Sequence, residues 1–320
     1  MNTIPSTFNE RQIQRTVVSG TEPVPNPRLP LAVILLNVGA GGVYRVKILE
    51  SLIKNGFSSI ICIDRTAENY NVEELAQRFN CVKFIVPNEP VTIGDMINIG
   101  MSETDEDHVL VIKDSIHITP NLIVPEVIEK YVTKSCFCLV PRLLSPQKQP
   151  LPIRFTPIVE NSSLGVQVNS IIGEKSVTLF PFDYIGIYNR HQFMRLGGFD
   201  YTITSEYWKN LDLSVRAWLW GEKIMISPVM QMEYASEVPE SDSTADVCQL
   251  RFYLKNGAPK FSLDRCYIPI TRFFNYMKRS RSGFSRALKD FREARHWVAE
   301  KKYCFRQDIT MLIEKWSDNI

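Results

Sequence analysis

The sequence predicts an α/β protein: an open, mostly parallel sheet flanked by helices, followed by a helical C-terminal extension. Three observations carry this. Short apolar runs recur (LAVILLNV, SSIICID, VKFIV, HVLVIKD), amphipathic stretches separate them at 43–54, 72–79 and Ile93–Ser102, and from about Ile270 the chain turns to helix formers and basic residues.

Each apolar run is short and hydrophobic at nearly every position, as strands buried on both faces are, and a crossover helix between two such strands makes them parallel. Open sheets of this kind bind ligands beyond the carboxyl ends of their strands, which selects the loops 37–42, 64–66 and 113–117. Residues 1–29, polar and dotted with proline (EPVPNPRLP), are expected to be a loose tail or linker. The main unit is expected to span 30–235. Within it, 136–180 holds short β-like runs (CFCLVPRLL, SLGVQVNSII, SVTLFPF) broken by Pro, Gly and Asn, as in an irregular mixed sheet. An irregular connecting segment, 236–269, and a basic helical extension, 270–320, complete the chain.

At 320 residues, 44% hydrophobic and 22% charged, the chain has ordinary globular composition and enough length for a large core. Lys+Arg 37 against Asp+Glu 35 gives a net charge of +2, which argues against a nucleic-acid partner recognised by bulk charge. No run approaches the ~18 apolar residues that span a bilayer, and MNTIPSTFNERQIQR lacks the apolar core of a secretory signal, so the expected address is the cytoplasm. The seven cysteines include no CxxC pair, which fits reduced thiols better than zinc or a disulfide framework.

Two segments carry the functional reading: HVLVIKDSIHITPN at 108–121, and the stretch PFDYIGIYNRHQFMRLGGFD with the helix-forming residues after it, 181–224. Together they resemble GT-A (Rossmann-like) glycosyltransferases of the family 2 type over about 31–233. The Leu-Gly-Gly-Phe-Asp region is the specific part of the match. That resemblance implies a donor nucleoside-diphosphate sugar held by Asn37, Asp64, Lys113, Asp114 and Ser115, with Asp64 on the base. It implies an acceptor-side wall that includes Gly197 and Gly198. Tyr207 and Trp208 suit either sugar stacking or loop anchoring.

The family's metal motif, Asp-x-Asp, holds a divalent cation against the diphosphate with hard oxygen ligands. Here Lys113, Asp114 and Ser115 occupy its three positions, leaving one carboxylate. Mn2+ or Mg2+ would have Asp114 and, further on, Glu233 as ligands; the alternative is metal-independent binding, with Lys113 against a phosphate as a point charge. His117 lies in the same loop. The family's Glu-Asp pair is replaced by Lys209 and Asn210. Removal of a proton from the acceptor hydroxyl would then fall to Glu206 or Asp212, although Asp212 also suits a helix N-terminus. The loop NVGAGG at 37–42 lacks both P-loop and GxGxxG spacing and reads as a flexible nucleotide-side loop.

The resemblance therefore implies an inverting transfer to a glycan or lipid-linked acceptor. A catalytically inactive relative that keeps the fold as a binding or scaffolding partner is the alternative. The extension TRFFNYMKRSRSGFSRALKDFREARHWVAEKK mixes aromatic and basic residues, as a segment on an anionic membrane surface does, or as a basic-faced helix packed on the core does.

Overall fold

The computed structural model describes residues 5, 8, 10–39, 42–65, 72–117, 123, 125, 126, 128, 136–160, 163–173, 176–280 and 283–316. The first half supplies strands β1 (Arg15–Ser19), β2 (Leu29–Asn37), β3 (Phe57–Asp64), β4 (Val82–Pro87), β5 (His108–Lys113) and β6 (Ile116–His117). Helices α1 (Gly42–Asn55), α2 (Val72–Arg78) and α3 (Ile93–Ser102) connect β2 to β5. Then follow β7 (Cys138–Leu144), a hairpin of β8 (Arg154–Glu160) and β9 (Ser163–Asn169), β10 (Gly186–Asn189), helices α4 (Arg190–Arg195) and α5 (Glu206–Leu219), and β11 (Ile224–Tyr234). The last part holds α6 (Val247–Phe252), a small hairpin of β12 (Lys260–Ser262) and β13 (Arg265–Tyr267), and helices α7 (Arg272–Ser280), α8 (Phe284–Glu300) and α9 (Ile309–Glu314).

Among the described residues, nine strands form one sheet in the order β1-β4-β3-β2-β5-β10-β7-β11-β6. The ladders show that β2, β3, β4, β5, β7 and β11 run in one direction, with β1, β10 and β6 against them. The mostly parallel sheet expected from the sequence is present, and its cause is visible in β2, where every residue but Pro30 is buried. Helix α3 begins where Thr92 and Asp95 form a capping box, each side chain accepting from the other's backbone N–H. Six carboxyl ends, those of β2, β3, β4, β5, β7 and β11, therefore lie along one edge.

Two expectations change. Residues 15–19, within the supposed tail, pair antiparallel with β4 from Arg15↔Pro87 to Ser19↔Lys83. Arg15 fixes this edge strand through Glu103 (2.7 Å), a contact no local pattern reveals. The segment 236–269 is not merely a connector, because α6 and the π-turn after it carry Lys255 and Asn256 into the core, 1% and 0% exposed. The basic C-terminal helices fold back on the main unit, with Trp316 against Trp218 (ring centroids 4.8 Å) and Phe305 against Trp220 (6.0 Å). Among the described residues, no helix is long and apolar enough to cross a membrane.

Candidate functional site

The sheet brings the predicted donor residues to one place. Asn37 and Asp64 are register partners at the ends of β2 and β3, and Lys113 is paired with Leu36 one residue before Asn37. Asp114 continues from β5, its backbone N–H bonded to Leu36 (3.0 Å) and its Oδ2 accepting from the Gly39 N–H (2.9 Å). Ser115 follows, with its carbonyl taken by the Ala235 N–H (2.8 Å). Of the loops read as site-forming, residues 40–41 and 66 lie outside the described residues.

Asp64 is fully buried, and its carboxylate accepts from Asn37 Nδ2 and Arg45 Nη2. Arg45, on the inward face of α1, is itself 4% exposed. Sequence reading missed it, although a lone arginine among Val43, Val46 and Ile48 is the signal of a buried ion pair. The charge of Asp64 is thus answered from within the protein, so a base held here must share the carboxylate with Arg45 or Asn37.

The more open chemistry lies beside Lys113. Its ammonium is ion-paired with Asp183, and each side chain is 9% exposed. Asp183 also accepts from the Tyr234 hydroxyl at the end of β11 (3.0 Å). Burial pushes the Asp183 carboxyl above its ordinary value, against the pull of Lys113 and Tyr234. Asp183 and Tyr184 hold left-handed backbone conformations, φ +53° and +66°, in the turn that enters β10. Two successive non-glycine residues in that region are costly, at about 1–3 kcal/mol each, and such strain concentrates at functional sites. The sequence does contain the signal, an Asp after Pro-Phe where a strand begins, but its partner is 70 residues away.

Helix α5 answers the question of the acids. Glu206 opens it, with Oε1 accepting from the Ile93 N–H at the start of α3 (3.1 Å) and Oε2 from the Tyr184 hydroxyl (2.7 Å). A carboxylate on a helix N-terminus is stabilised by the exposed N–H groups, so Glu206 ties α5 to α3. Lys209, one turn on and fully buried, donates to Thr92 Oγ1. Burial lowers its ammonium from the ordinary value. Asn210 donates to the Pro181 carbonyl (2.7 Å), while its Oδ1, buried in the same region, makes no hydrogen bond.

Asp212 does not behave as either sequence expectation required. It sits in the second turn of α5, not at its start, and is fully buried. Its carboxylate accepts from Arg216 (2.7 Å), Lys255 (2.7 Å) and Asn256 (2.8 Å). Lys255 also reaches Asp200 (2.8 Å), the aspartate of the Gly-Gly-Phe-Asp turn. Burial alone would raise the Asp200 carboxyl; Lys255 overrides it and holds the group at about 2. This cluster joins α5, the turn and the π-turn, and its oxygens face the core, where no acceptor hydroxyl reaches them.

The aromatic expectation divides between its two residues. Trp208 is an anchor, 7% exposed, donating to the Thr244 carbonyl (2.9 Å) and packed on Phe252. Tyr207 remains half-buried against Phe180 (5.9 Å), in a row that continues through Phe155 and Phe182 to Tyr234. That row gives the polar cluster an apolar flank. Gly197 and Gly198 form the turn after α4 with φ +89° and +66°. A Cβ on Gly198 would lie 2.6 Å from Asn98 Oδ1, so Gly198 serves close packing on α3, whereas Gly197 has open space at its Cβ and serves the turn through its backbone conformation.

Among the described residues, the oxygen donors for a divalent cation at this edge are few. Asp114 supplies one carboxylate, already bonded to Gly39, and Glu233 faces His117 as its cross-strand partner on β6. Among the described residues, no three His, Cys, Asp or Glu side chains gather as a cation site. The ammonium of Lys113 places a positive charge at the end of β5, next in sequence to Asp114.

No protein-family model matches the sequence, and no curated protein does. Among solved structures, the chain is similar to GalNAc-T7 crystallised with UDP, GalNAc and Mn2+, with a TM-score of 0.59 and 13% identity over 90% of this chain. The chain spans 58% of the length of that structure. It is also similar to residues 1–349 of S. aureus TarS in complex with UDP-GlcNAc, with a TM-score of 0.52 and 13% identity, covering 90% of this chain and 91% of that one. At this identity the likeness concerns architecture, and the architecture is the GT-A fold.

Proposed function

We propose that this GT-A-fold chain is a glycosyltransferase that takes a nucleoside-diphosphate sugar at the carboxyl edge formed by Asn37, Asp64 and Lys113–Ser115, and inverts the sugar onto a glycan or lipid-linked acceptor. The observation that carries the reading is the Lys113–Asp183 pair. A diphosphate entering that edge competes with Asp183 for the ammonium, and Lys113 then neutralises the charge that Mn2+ or Mg2+ carries in metal-dependent chemistry. Asp183, released by the same exchange, is the proton acceptor in this reading, in place of Asp212 and ahead of the helix-bound Glu206. The acceptor oxygen bonds to the anomeric carbon, its proton passes to Asp183, and the bond to the diphosphate breaks with the electron pair leaving on the phosphate oxygen. Phe182 and Tyr207 supply apolar faces for sugar C–H groups.

The test is release of free nucleoside diphosphate from UDP-, GDP- and dTDP-sugars in EDTA, with acceptor candidates present. Turnover of one donor that falls about 100-fold or more in Asp183→Asn supports the assignment. Two observations favour a second reading, an inactive fold kept for binding: Asp64 and Asp212 are both consumed by internal ion pairs, and Asn210 stands where the family carries an acid. Donor binding without turnover of any donor would select that reading.

A further inference from the structure

The strongest unexplained surface lies away from this edge, on α7 and the start of α8. Ile270, Phe274 and Phe284 are 65%, 65% and 60% exposed. They are neighbours: the rings of Phe274 and Phe284 both pack on the buried Phe273, at 5.8 and 5.7 Å, and Ile270 lies one turn before Phe274. Phe273 is in turn held by Phe291 of α8 at 5.3 Å, so the three outer side chains rest on a rigid floor. Ile270, Phe274 and Lys278 follow at i, i+4 and i+8, so the apolar tip runs directly into a cationic one.

Exposed basic residues stand beside it: Lys278 and Arg279 end α7, and Arg286 lies two residues after Phe284 in the first turn of α8. The nearby acids are engaged: Asp290 accepts from the Tyr276 hydroxyl (3.2 Å), and Glu293 pairs with Arg251 (3.9 Å). Large apolar side chains standing clear of a floor and rimmed by one sign of charge are placed for an interface that is apolar inside and anionic at its surface.

We propose that Ile270, Phe274 and Phe284 insert into an anionic phospholipid surface, with Lys278, Arg279 and Arg286 on the lipid headgroups. This docking places the protein on a membrane peripherally. It stands independently of the donor-site reading, since none of these residues belongs to the carboxyl edge.

The full chain is sedimented with vesicles of phosphatidylcholine alone and of phosphatidylcholine with about one quarter phosphatidylglycerol. Binding to the anionic vesicles only, weakened by raised salt and reduced about tenfold or more in Phe274→Glu/Phe284→Glu, supports the proposal. Both residues are exposed, so the variant folds, which far-UV circular dichroism checks. Lys278→Glu/Arg279→Glu gives the electrostatic part separately. Equal binding to neutral vesicles overturns the anionic assignment. Absence of binding to either vesicle overturns the proposal, as does a dimer that Phe274→Glu disperses, since the face then joins copies of the chain.

Discussion

Lys113 and Asp183 form a buried ion pair at the end of β5, although they lie 70 residues apart in sequence. Among the described residues neither is paired with a second full charge, and Asp183 otherwise accepts from the neutral Tyr234 hydroxyl, which is what the proposed exchange with a ligand requires. Burial raises the Asp183 carboxyl, so it remains protonated to a higher pH than an ordinary aspartate. As a proton acceptor it must be ionised. The kcat/KM profile, which reports the free enzyme, is therefore expected to rise through an acid limb lying above the usual carboxylate range. Lys113 pulls that limb downward, so Lys113→Met should move it to higher pH. A profile that ends at the ordinary aspartate value, unchanged in Lys113→Met, would remove Asp183 from the proton transfer.

The Asp200, Asp212, Arg216 and Lys255 cluster predicts a large loss of stability and no direct loss of chemistry. Asp212→Ala leaves Lys255 and Arg216 with one carboxylate between them in the core, and removing one partner of a buried pair typically costs about 3–5 kcal/mol. Urea denaturation should show that loss. Turnover per folded molecule should be unaltered, where loss of a catalytic base would lower turnover with little loss of stability.

Gly94→Ala tests why α3 carries a glycine in its first turn. Alanine ordinarily favours a helix by about 1 kcal/mol, but here a Cβ would lie 2.4 Å from Lys209 Cδ and 2.9 Å from Phe199 Cβ. Phe199 is buried and cannot retreat, so a net destabilisation of about 1–3 kcal/mol is expected. A more stable variant in urea denaturation would show that α3 and α5 are not in this close contact.

Glu103 sets an acid-sensitive lock on the edge strand. Burial alone would raise its carboxyl, but Arg15 (2.7 Å) and Lys83 (3.3 Å) together hold it below the ordinary value. A depressed folded value contributes stability above the unfolded value, about 4.3, and that stability is lost as pH falls through the folded one. Thermal unfolding between about pH 5 and 3 should therefore show a steeper loss in the wild type than in Glu103→Gln.

What the sequence made legible was set by local signals. Strands β2 to β5 announce themselves by continuous burial, and α3 was bounded correctly from its periodicity, with Thr92 and Asp95 closing its first turn. Strand β1 was hidden because RTVVS is five residues among prolines and polar side chains, held by Glu103 from across the sheet. The donor edge followed from strand order alone, yet Asp183 did not, because its chemistry depends on Lys113 and Tyr234 from two other strands. Asp212 reads, from its place two residues after the replaced pair, as a substitute base or a helix-terminal charge. Its role belongs to Lys255 and Asn256, which lie in a segment whose sequence shows no periodic element.

The most direct measurement is isothermal titration of the purified chain with UDP-, GDP- and dTDP-sugars in EDTA, repeated with Mn2+ and with Lys113→Met. One donor is expected to bind in EDTA, Mn2+ to add little, and Lys113→Met to weaken binding about 10- to 100-fold, the scale of a hydrogen bond to a charged group. Binding that requires Mn2+ and is indifferent to Lys113 would contradict this expectation.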